Sequence, residues 1–580
     1  DHRDLHSFPT RRSSDLTKKI QGEGVGIDAS TTGVYDEKNN FGGNGRLNIN
    51  YRKNGLELGA YAFAAKQYQP DNKNLQQLTY LDKIWNQKSE VKQTGVTESM
   101  NFRIDASYQI DSNNSFGVNF SYLRNPKQSW NGNMNASILQ DDILSENNDS
   151  RIDFNWQKSN LSSNIYYVGK IGKIGIDFNT DWLWDKVFQN DITNEHFQEM
   201  KKNSQDQTVK SLANKYNHLI ASKLVLSYPL LGGELSLGGE FSNIHRTSKM
   251  QVVPTTLVQD DDSRITESMT SSFLTYSCDF GDLSLEAGLR YEYIDFNYYE
   301  YGKYIPEQSK GYGNWFPSLS LSWPVGNVQM QMSYSADIKR PSYQSLRSAI
   351  QYDNRYTYET GNPLLASEIS RNLDYEAAYK WLTFDVTYCH TSHPILEYVE
   401  TYKDNPAIGL QKPLNGIAYD DVETSVSLQP TFGFWHPSFT ASIDKQWFNM
   451  DTYEGKALNK PMASFRFDNT FDTKLAMFTL MMTYDTKGHE QNRYLYKPMF
   501  CTNMSIYKAC MKNRLSFQFF IYDLFGSNDS HVVAYFGKLR NMVYDALSNS
   551  KVSLTVRYTF NTSRSKYKGT GAGVGQKERI

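Results

Sequence analysis

Hydrophobic and polar residues alternate with a period of two along most of the chain. In LSLEAGLRYEY, at 283–293, apolar or aromatic residues occupy every second position and mostly polar residues fall between them. Because successive side chains of a β-strand point to opposite faces, this pattern predicts strands with one apolar and one polar face. The same division recurs in LSFQFFIY at 515–522 and VSLTVRYTF at 552–560. Strands of about ten residues exceed the usual sandwich strand and suit a tilted bilayer crossing.

Tight turns punctuate these strands. Most contain the Gly, Asn or Asp that hairpin turns require. Segments of roughly 36 to 57 residues lie between successive turns, which leaves room for two strands and a polar loop. Short turns that alternate with long loops are typical of outer-membrane barrels, whose turns are periplasmic and whose loops are extracellular. The ten turns lie at 53–55, 111–114, 170–172, 230–233, 281–282, 325–327, 380–381, 433–435, 472–474 and 512–514.

The turns also give a strand count. Ten turns are flanked by twenty strands, and one strand at about Gly22 to Val34 and another at Lys551 to Phe560 complete the series. The sequence therefore predicts an all-β fold, a transmembrane antiparallel β-barrel of about 22 strands. An even number lets the first and last strands pair, so that no edge remains. The lumen of such a barrel is wide enough to need a plug.

Energetics assign the two faces of the strands. An arginine at the bilayer midplane costs about 2 to 4 kcal/mol, so Arg290 and Arg557 are expected to face the lumen. Trp323, Trp381 and Trp435 lie at three of the turns, where an interfacial aromatic girdle is expected. The alternative is a soluble β-solenoid or a string of sandwiches, which would expose apolar patches far above a few hundred Å².

Composition agrees with a membrane barrel. Aromatic residues make up 14% of the 580 residues, yet the mean hydropathy is −0.62. The net charge of −2 and the lack of a long basic run disfavour nucleic acid as a partner. No apolar stretch approaches the ~18 residues of a membrane helix. The four cysteines are too dispersed to indicate a disulfide framework.

Candidate chemistry is weak, and the sequence predicts no catalytic residue, metal site or cofactor. His390 and His393 would point to opposite faces of a strand. Asp260, Asp261 and Asp262 lack the ligand spacing and the glycine of a calcium loop. GTGAGVG at 569–575 lacks the third glycine of a dinucleotide motif, which favours a flexible tail.

Function is expected in the long loops and the lumen. Residues 191–210 are polar and mildly helical in character, and they are assigned to such a loop. Five aromatic residues are candidates for stacking on a ligand, with loop packing or a membrane-interface position as the alternative reading for each: Trp85, Trp130, Tyr352, Tyr356 and Tyr358. No residue is assigned to substrate binding.

Two motifs resemble known receptors. Arg340-Pro341, followed by GNPLLASEIS at 361–370, resembles the corresponding stretch of TonB-dependent outer-membrane receptors. The end of the barrel, Tyr558 to Gly573, is similar to that of the plug-and-barrel family abundant in Bacteroidetes. Ala366 and Ser367 depart from the usual basic residue and proline.

The resemblance implies an integral protein of the Gram-negative outer membrane that imports a metal chelate, cobalamin, glycan or peptide. Extracellular loops would capture the ligand, and the TonB complex would remodel an N-terminal plug with energy from the proton gradient. A partner surface lipoprotein is left open. The rival hypotheses are a plugless passive pore or adhesion barrel, and a barrel hydrolase, for which no convergent Ser/His or Asp/His set is evident.

Three regions are distinguished along the chain. Residues 1–16 resemble a translated sequencing adapter, which would explain a missing plug and TonB box by truncation. Residues 17–560 form the predicted barrel, and 561–580 a flexible periplasmic C-terminal tail. Within the barrel, 340–368 is expected to be an extracellular loop that orders the rim and leaves its tyrosines available to a ligand, with Pro341 and Pro363 marking where strand pairing stops and resumes.

Overall fold

The computed structural model describes residues 23–80, 83–200, 202–403, 405–546, 550–562 and 567–580; the adapter-like residues 1–16 lie outside this part. Antiparallel strands form the wall of a closed barrel, as the alternation predicts, and their number is the predicted 22. They are β1 Gly24–Asp36, β2 Phe41–Lys53, β3 Leu56–Tyr80, β4 Ile84–Gln109, β5 Ser115–Gln140, β6 Ile143–Ile171, β7 Ile174–Glu199, β8 Gln205–Leu230, β9 Gly233–Val253, β10 Asp261–Phe280, β11 Leu283–Glu300, β12 Lys310–Val325, β13 Val328–Lys339, β14 Glu368–Tyr379, β15 Leu382–Ser392, β16 Tyr419–Leu428, β17 Trp435–Trp447, β18 Met462–Asp472, β19 Met477–Asp485, β20 Met499–Cys510, β21 Leu515–Tyr522 and β22 Lys551–Phe560.

The barrel closes between β1 and β22. Ile27 lies opposite Phe560 at one end of this seam, and Asp36 lies opposite Lys551 at the other. On the inner face, the Arg557 guanidinium donates to both carboxylate oxygens of Asp28, at 2.9 and 2.6 Å. Closure leaves no unpaired edge between the first and last strands of the wall.

The ten predicted turns all connect consecutive barrel strands. Gly172 and Gly232 have φ angles of 60° and 82°, in the left-handed region that glycine adopts without steric penalty. The turns therefore lie at one end of the barrel, and the long connections lie at the other.

The two faces of the strands divide as predicted. Ile104, Phe120 and Leu289 point outward, with 66, 46 and 44% of their surface exposed, as expected of side chains that meet lipid. Glu57 and Asp181 point into the lumen and are buried. The wall is an integral outer-membrane barrel with an apolar outer band and a charged interior.

One side of the wall is much taller than the other. Strands β3 to β8 contain 25 to 29 residues, whereas β13 to β22 contain 8 to 13. The prediction of a mildly helical loop at 191–210 is wrong, because β7 runs to Glu199 and β8 begins at Gln205. Continued pairing gives the backbone groups of this polar hairpin their hydrogen-bond partners.

A β-bulge marks where β5 leaves the apolar band. The pairing of β5 with both neighbours shifts by one residue near Asn125 to Gln128, and Pro126, which has no N–H to donate, lies within it. Below the bulge, Phe120 and other even-numbered residues point outward. Above it, even-numbered residues such as Met134 point inward and are buried. The upper wall therefore has a polar outside and an apolar inside.

The remaining elements are short. The described helices are a 3₁₀ turn and one turn of α-helix, and no helix in the described part of the chain is long and apolar enough to cross a membrane. Four strands lie within the mouth and the others form small hairpins or pairs, one of which extends the upper end of β3. They are Lys303–Tyr304, Ile350–Asn354, Thr357–Thr360, Ile395–Tyr402, Asn405–Asn415, Asn449–Thr452, Gly455–Ala457, Gly488–Glu490, Arg493–Leu495, Ser530–Phe536 and Leu539–Ala546, with the 3₁₀ turn Pro306–Gln308 and the helix α1 Val574–Lys577.

The structure differs from the predicted flexible tail over residues 567–580. This segment, here called the luminal segment, rises inside the barrel along the inner faces of β6 to β10. Ala572 and Gln576 are each only 1% exposed. Backbone N–H groups of the segment donate to side chains of the wall, and these hydrogen bonds, which a sequence pattern does not reveal, account for the difference.

Candidate functional site in the barrel mouth

The mouth of the barrel is covered from within. Residues 340–368, here called the mouth segment, fold inward and contribute the strands Ile350–Asn354 and Thr357–Thr360 to a four-stranded sheet. Asn405–Asn415 joins this sheet in parallel to Thr357–Thr360, and Ile395–Tyr402 completes it. The segment is therefore a folded layer inside the wall and not a loop that projects from the rim.

Apolar packing holds this layer against the tall side of the wall. Val209, Val252 and Met250 of the wall cluster with Tyr352 and Tyr358 of the layer. Two further clusters join the mouth segment to inward residues of β4 to β11. The apolar inner face above the bulge is thus the surface that the mouth segment covers.

Two glutamates of the wall anchor the mouth segment through hydrogen bonds. Glu195 accepts a bond of 2.5 Å from the Tyr352 hydroxyl and one of 2.8 Å from the backbone N–H of Arg355. Glu146 accepts from the Arg355 guanidinium at 2.8 Å and from the Tyr356 hydroxyl at 2.6 Å. Hydrogen bonds to charged acceptors are stronger than neutral ones, so these carboxylates fix the layer laterally.

Residues of the receptor-like motifs also hold the same layer in place. Arg340 forms an ion pair with Glu292 on the inner face of β11. Asn362 donates from its side chain to the Pro413 carbonyl at 3.1 Å, and Gly361 has backbone oxygens so close that a Cβ there would meet one at 2.5 Å. The Glu368 carboxylate accepts from the Ile395 N–H at 3.0 Å.

The tyrosines expected to be available to a ligand are instead buried. Tyr352, Tyr356 and Tyr358 are 2, 2 and 3% exposed. Burial, reinforced for Tyr352 and Tyr356 by the glutamates that accept from them, raises the pKa of all three hydroxyls, that of Tyr358 to about 12. They therefore remain protonated donors. Loop packing, the alternative reading, is what the structure shows for them.

Trp85 and Trp130 lie on the inner wall of β4 and β5. Trp85 packs against the cluster that contains Tyr356. Trp130 covers Gly95, where an added Cβ would approach its ring to 2.9 Å. Trp85 is thus brought to the mouth segment, whereas Trp130 packs on the wall, and neither is among the rings that contact the three tyrosines in the described part of the chain.

Asp353 is the most perturbed carboxyl of the mouth segment. It faces Glu359 from the next strand, Asp191 from β7 and the Arg347 guanidinium, and it accepts from the Gln351 amide at 3.0 Å. Burial, followed by the charge of Glu359, raises the pKa of Asp353 to about 7. Its ionisation near neutral pH places a charge between the layer and the wall.

A second concave surface lies on the outside of the tall wall. It encloses about 600 Å³ and is lined mostly by outward residues of β4 to β8. Its polar contacts include a hydrogen bond between His196 and Asp206 at 2.7 Å and an ion pair of Lys92 with Glu90 at 2.5 Å. The 191–210 hairpin thus forms one side of a polar outer cleft.

One of the weak chemical candidates, Asp261, contacts the mouth segment. His390 contacts the Asp420 carboxylate at 2.8 Å on the outer face, and His393 lies in the connection after β15. Asp261 accepts from Ser263 and Ser348, whereas Asp262 pairs with Lys249 at 2.8 Å. Among the described residues, no group of three or more His, Cys, Asp or Glu side chains is arranged to hold a metal ion, and the four cysteines are free.

Sequence comparison matches residues 170–558 to the model of the "Outer membrane protein beta-barrel family". No curated protein matches the chain. Three solved structures share the fold at low sequence identity. The siderophore receptor PirA from Pseudomonas aeruginosa is 12% identical, with a TM-score of 0.56 over 93% of this chain and 81% of that chain. The copper transporter OprC is 9% identical, with a TM-score of 0.61 over 94 and 82%. The ferric yersiniabactin uptake receptor FyuA from Yersinia pestis is 11% identical, with a TM-score of 0.59 over 93 and 81%.

Proposed function

The chain belongs to the outer membrane protein beta-barrel family, and on this premise we propose that it is the barrel of a TonB-dependent receptor that imports a scarce nutrient. The substrate is a metal chelate, cobalamin, a glycan or a peptide. The solved barrels of similar fold include a siderophore receptor, a copper transporter and a ferric yersiniabactin uptake receptor, which supports uptake as the function and a non-enzymatic role.

The covered mouth is the observation that carries this proposal. A passive pore needs a standing aqueous path, whereas an energised receptor stays closed until its ligand is bound and the TonB complex acts. Here Arg340, Tyr352 and Arg355 tie the mouth segment to three different wall carboxylates. Opening the mouth requires these charge-assisted bonds to break, which is work that an energised system supplies.

Uptake by cells that carry the native gene tests the proposal. Labelled ferric citrate, labelled cobalamin, a maltooligosaccharide mixture and a casein peptide mixture serve as probes. We expect at least one of them to accumulate, and accumulation to be lost when the TonB gene is deleted or a protonophore is added. Uptake that persisted without TonB would contradict the proposal and favour the passive pore. Planar-bilayer recordings of the purified protein add a check, because a standing pore conducts ions steadily and a closed receptor does not.

A further inference from the structure

The luminal segment lies in a groove on the inner wall that four polar residues define. Asn179 and Asp181 belong to β7, Glu240 to β9 and Glu267 to β10. All four point into the lumen, and each of them contacts the segment. The groove therefore presents three carboxylates and one amide to a single continuous segment of the chain.

Side chains of the wall accept hydrogen bonds from the backbone N–H groups of four successive residues of the luminal segment. The Asn179 side-chain oxygen accepts from the N–H groups of Thr570 and Gly571 at 3.0 and 3.1 Å. Asp181 accepts from the N–H of Ala572, and Glu240 accepts from that of Gly573 at 2.7 Å. Buried backbone donors are almost always hydrogen-bonded, and here side chains of the wall supply the acceptors for four of them in succession.

The groove also selects for glycine. Gly573 has a φ of 65°, and a Cβ there would lie 2.6 Å from Cβ of Ala221, so any larger residue meets both backbone strain and a clash. A Cβ on Gly575, by contrast, would meet nothing closer than 3.8 Å. The glycines of GTGAGVG are thus distinguished by the wall.

Two cationic side chains complete the fit. Lys577 approaches Asp181 at 3.0 Å. Arg579 donates to both oxygens of the buried Glu267, at 2.5 and 3.0 Å, and its guanidinium lies 4.1 Å from the centre of the Tyr343 ring. Removal of one partner from a buried ion pair of this kind is strongly destabilising.

The segment also supports the mouth segment from below. Arg579 donates from Nε to the Pro341 carbonyl at 2.8 Å, and its own carbonyl accepts from the Tyr343 N–H at 3.1 Å. Tyr343 donates to Glu267 at 3.0 Å. The start of the mouth segment therefore rests on the occupied groove.

We propose that this luminal groove is a binding site for a glycine-rich peptide that carries two cationic residues, and that the luminal segment is its displaceable intramolecular ligand, which latches the mouth segment in place. The inference goes beyond the proposed function, since it does not depend on which nutrient crosses the membrane. The groove accepts hydrogen bonds from the backbone, has no room for a side chain at Gly573, and pairs with the positive charges of Lys577 and Arg579.

Tryptic cleavage after Lys577 in the full folded chain tests the latch. The wild type and Gly575→Ala are expected to resist cleavage, whereas Gly573→Val and Arg579→Glu are expected to be cut at least about ten-fold faster. Intact mass measures cleavage, and heat-modifiable electrophoretic migration confirms that each barrel is folded. The exchange Glu267→Arg with Arg579→Glu restores the ion pair in reverse and is expected to restore resistance. Rapid cleavage of the wild type, or resistance of Gly573→Val, would overturn the latch.

A peptide added in trans tests the binding site itself. A fluorescent peptide with the sequence of residues 567–580 is expected to bind saturably to the Gly573→Val chain, whose own segment is displaced, and at least about ten-fold more weakly to the wild type, whose groove is occupied. The same peptide with the Gly573→Val change serves as the matched control. Failure of the wild-type peptide to bind the displaced chain, or equal binding of both peptides, would refute the site. Neither outcome bears on TonB-dependent uptake, so the two proposals fail separately.

Discussion

Removal of the Glu146 carboxylate tests whether the mouth segment is anchored by charge-assisted hydrogen bonds. Glu146→Leu deletes the acceptor of the Arg355 guanidinium at 2.8 Å and of the Tyr356 hydroxyl at 2.6 Å, with little change in volume. Arg355 is not left alone, because it lies 3.8 Å from Glu199 and 3.6 Å from the ring centre of Phe197.

The expected cost follows from these two bonds. A hydrogen bond to a charged group contributes about 1.5 to 3 kcal/mol. Two such bonds would give about 3 to 6 kcal/mol, but the variant also removes the desolvation penalty of a mostly buried carboxylate. We therefore expect the docking of the mouth segment to weaken by about 3 kcal/mol, close to a hundred-fold rise in its opening. The wall should not loosen, because its ladder hydrogen bonds are untouched.

Hydrogen exchange measures this opening directly. Amides of residues 350–360 are expected to exchange about a hundred-fold faster in Glu146→Leu, while amides of β6 and β7 keep their rates. Glu98→Leu is the control, because Glu98 faces outward and its pair with Lys66, at 3.4 Å and largely exposed, contributes less than about 1 kcal/mol. Unchanged exchange at 350–360, or equal acceleration throughout the wall, would refute the reasoning.

Three further predictions concern the wall, the pH response and a turn. Leu289→Arg on the outer apolar face should lower the free energy of unfolding in urea by about 2 to 4 kcal/mol. The control Ser320→Arg, at a position that faces the lumen opposite Glu286, should lower it clearly less. Equal losses of stability would contradict the assignment of faces. The pKa of Asp353 is raised from 3.8 to about 7, so the folded chain binds this proton more tightly than the unfolded chain, and docking of the mouth segment should weaken as the pH rises from about 4 to 7. Hydrogen exchange at 350–360 should become faster over this pH range. If Asp353→Asn kept the same pH response, Asp353 would be excluded as its source. Gly172→Val should cost about 1 to 2 kcal/mol in urea unfolding, because a β-branched residue must adopt a positive φ; an unchanged midpoint would show that the turn relaxes.

The barrel wall was predictable because its signals are local. Alternation in 283–293 indicates the face of a strand, and turn residues such as Gly172 indicate its end at the short turn, without reference to distant contacts. The bulge at Asn125 to Gln128 was not visible, because apolar residues such as Phe120 and Met134 keep to even-numbered positions on both sides of it, and only the structure places them on opposite faces.

The contents of the lumen were not predictable in this way. In the sequence, three glutamates of the wall are indistinguishable from other polar positions of amphipathic strands: Glu146, Glu195 and Glu267. Their partners, such as Tyr352 and Arg579, are separated from them by 157 to 312 residues. Polar sequences such as 567–580 look flexible when their acceptors lie on other strands. Pairing at that distance depends on how closure of the barrel positions the strands, which no short window of sequence encodes.

The sequence by itself determined the class of the fold, the number of the strands and their ends at the short turns, the side of the strands that meets lipid, and the membrane location. Those properties follow from the period of side-chain direction and from the cost of placing charge in a bilayer. Only the tertiary structure decided that residues 340–368 cover the mouth from within and that 567–580 occupy the lumen. Both segments are held by inward carboxylates and apolar side chains of β4 to β11, which these segments meet only when the chain folds back into the lumen of the barrel.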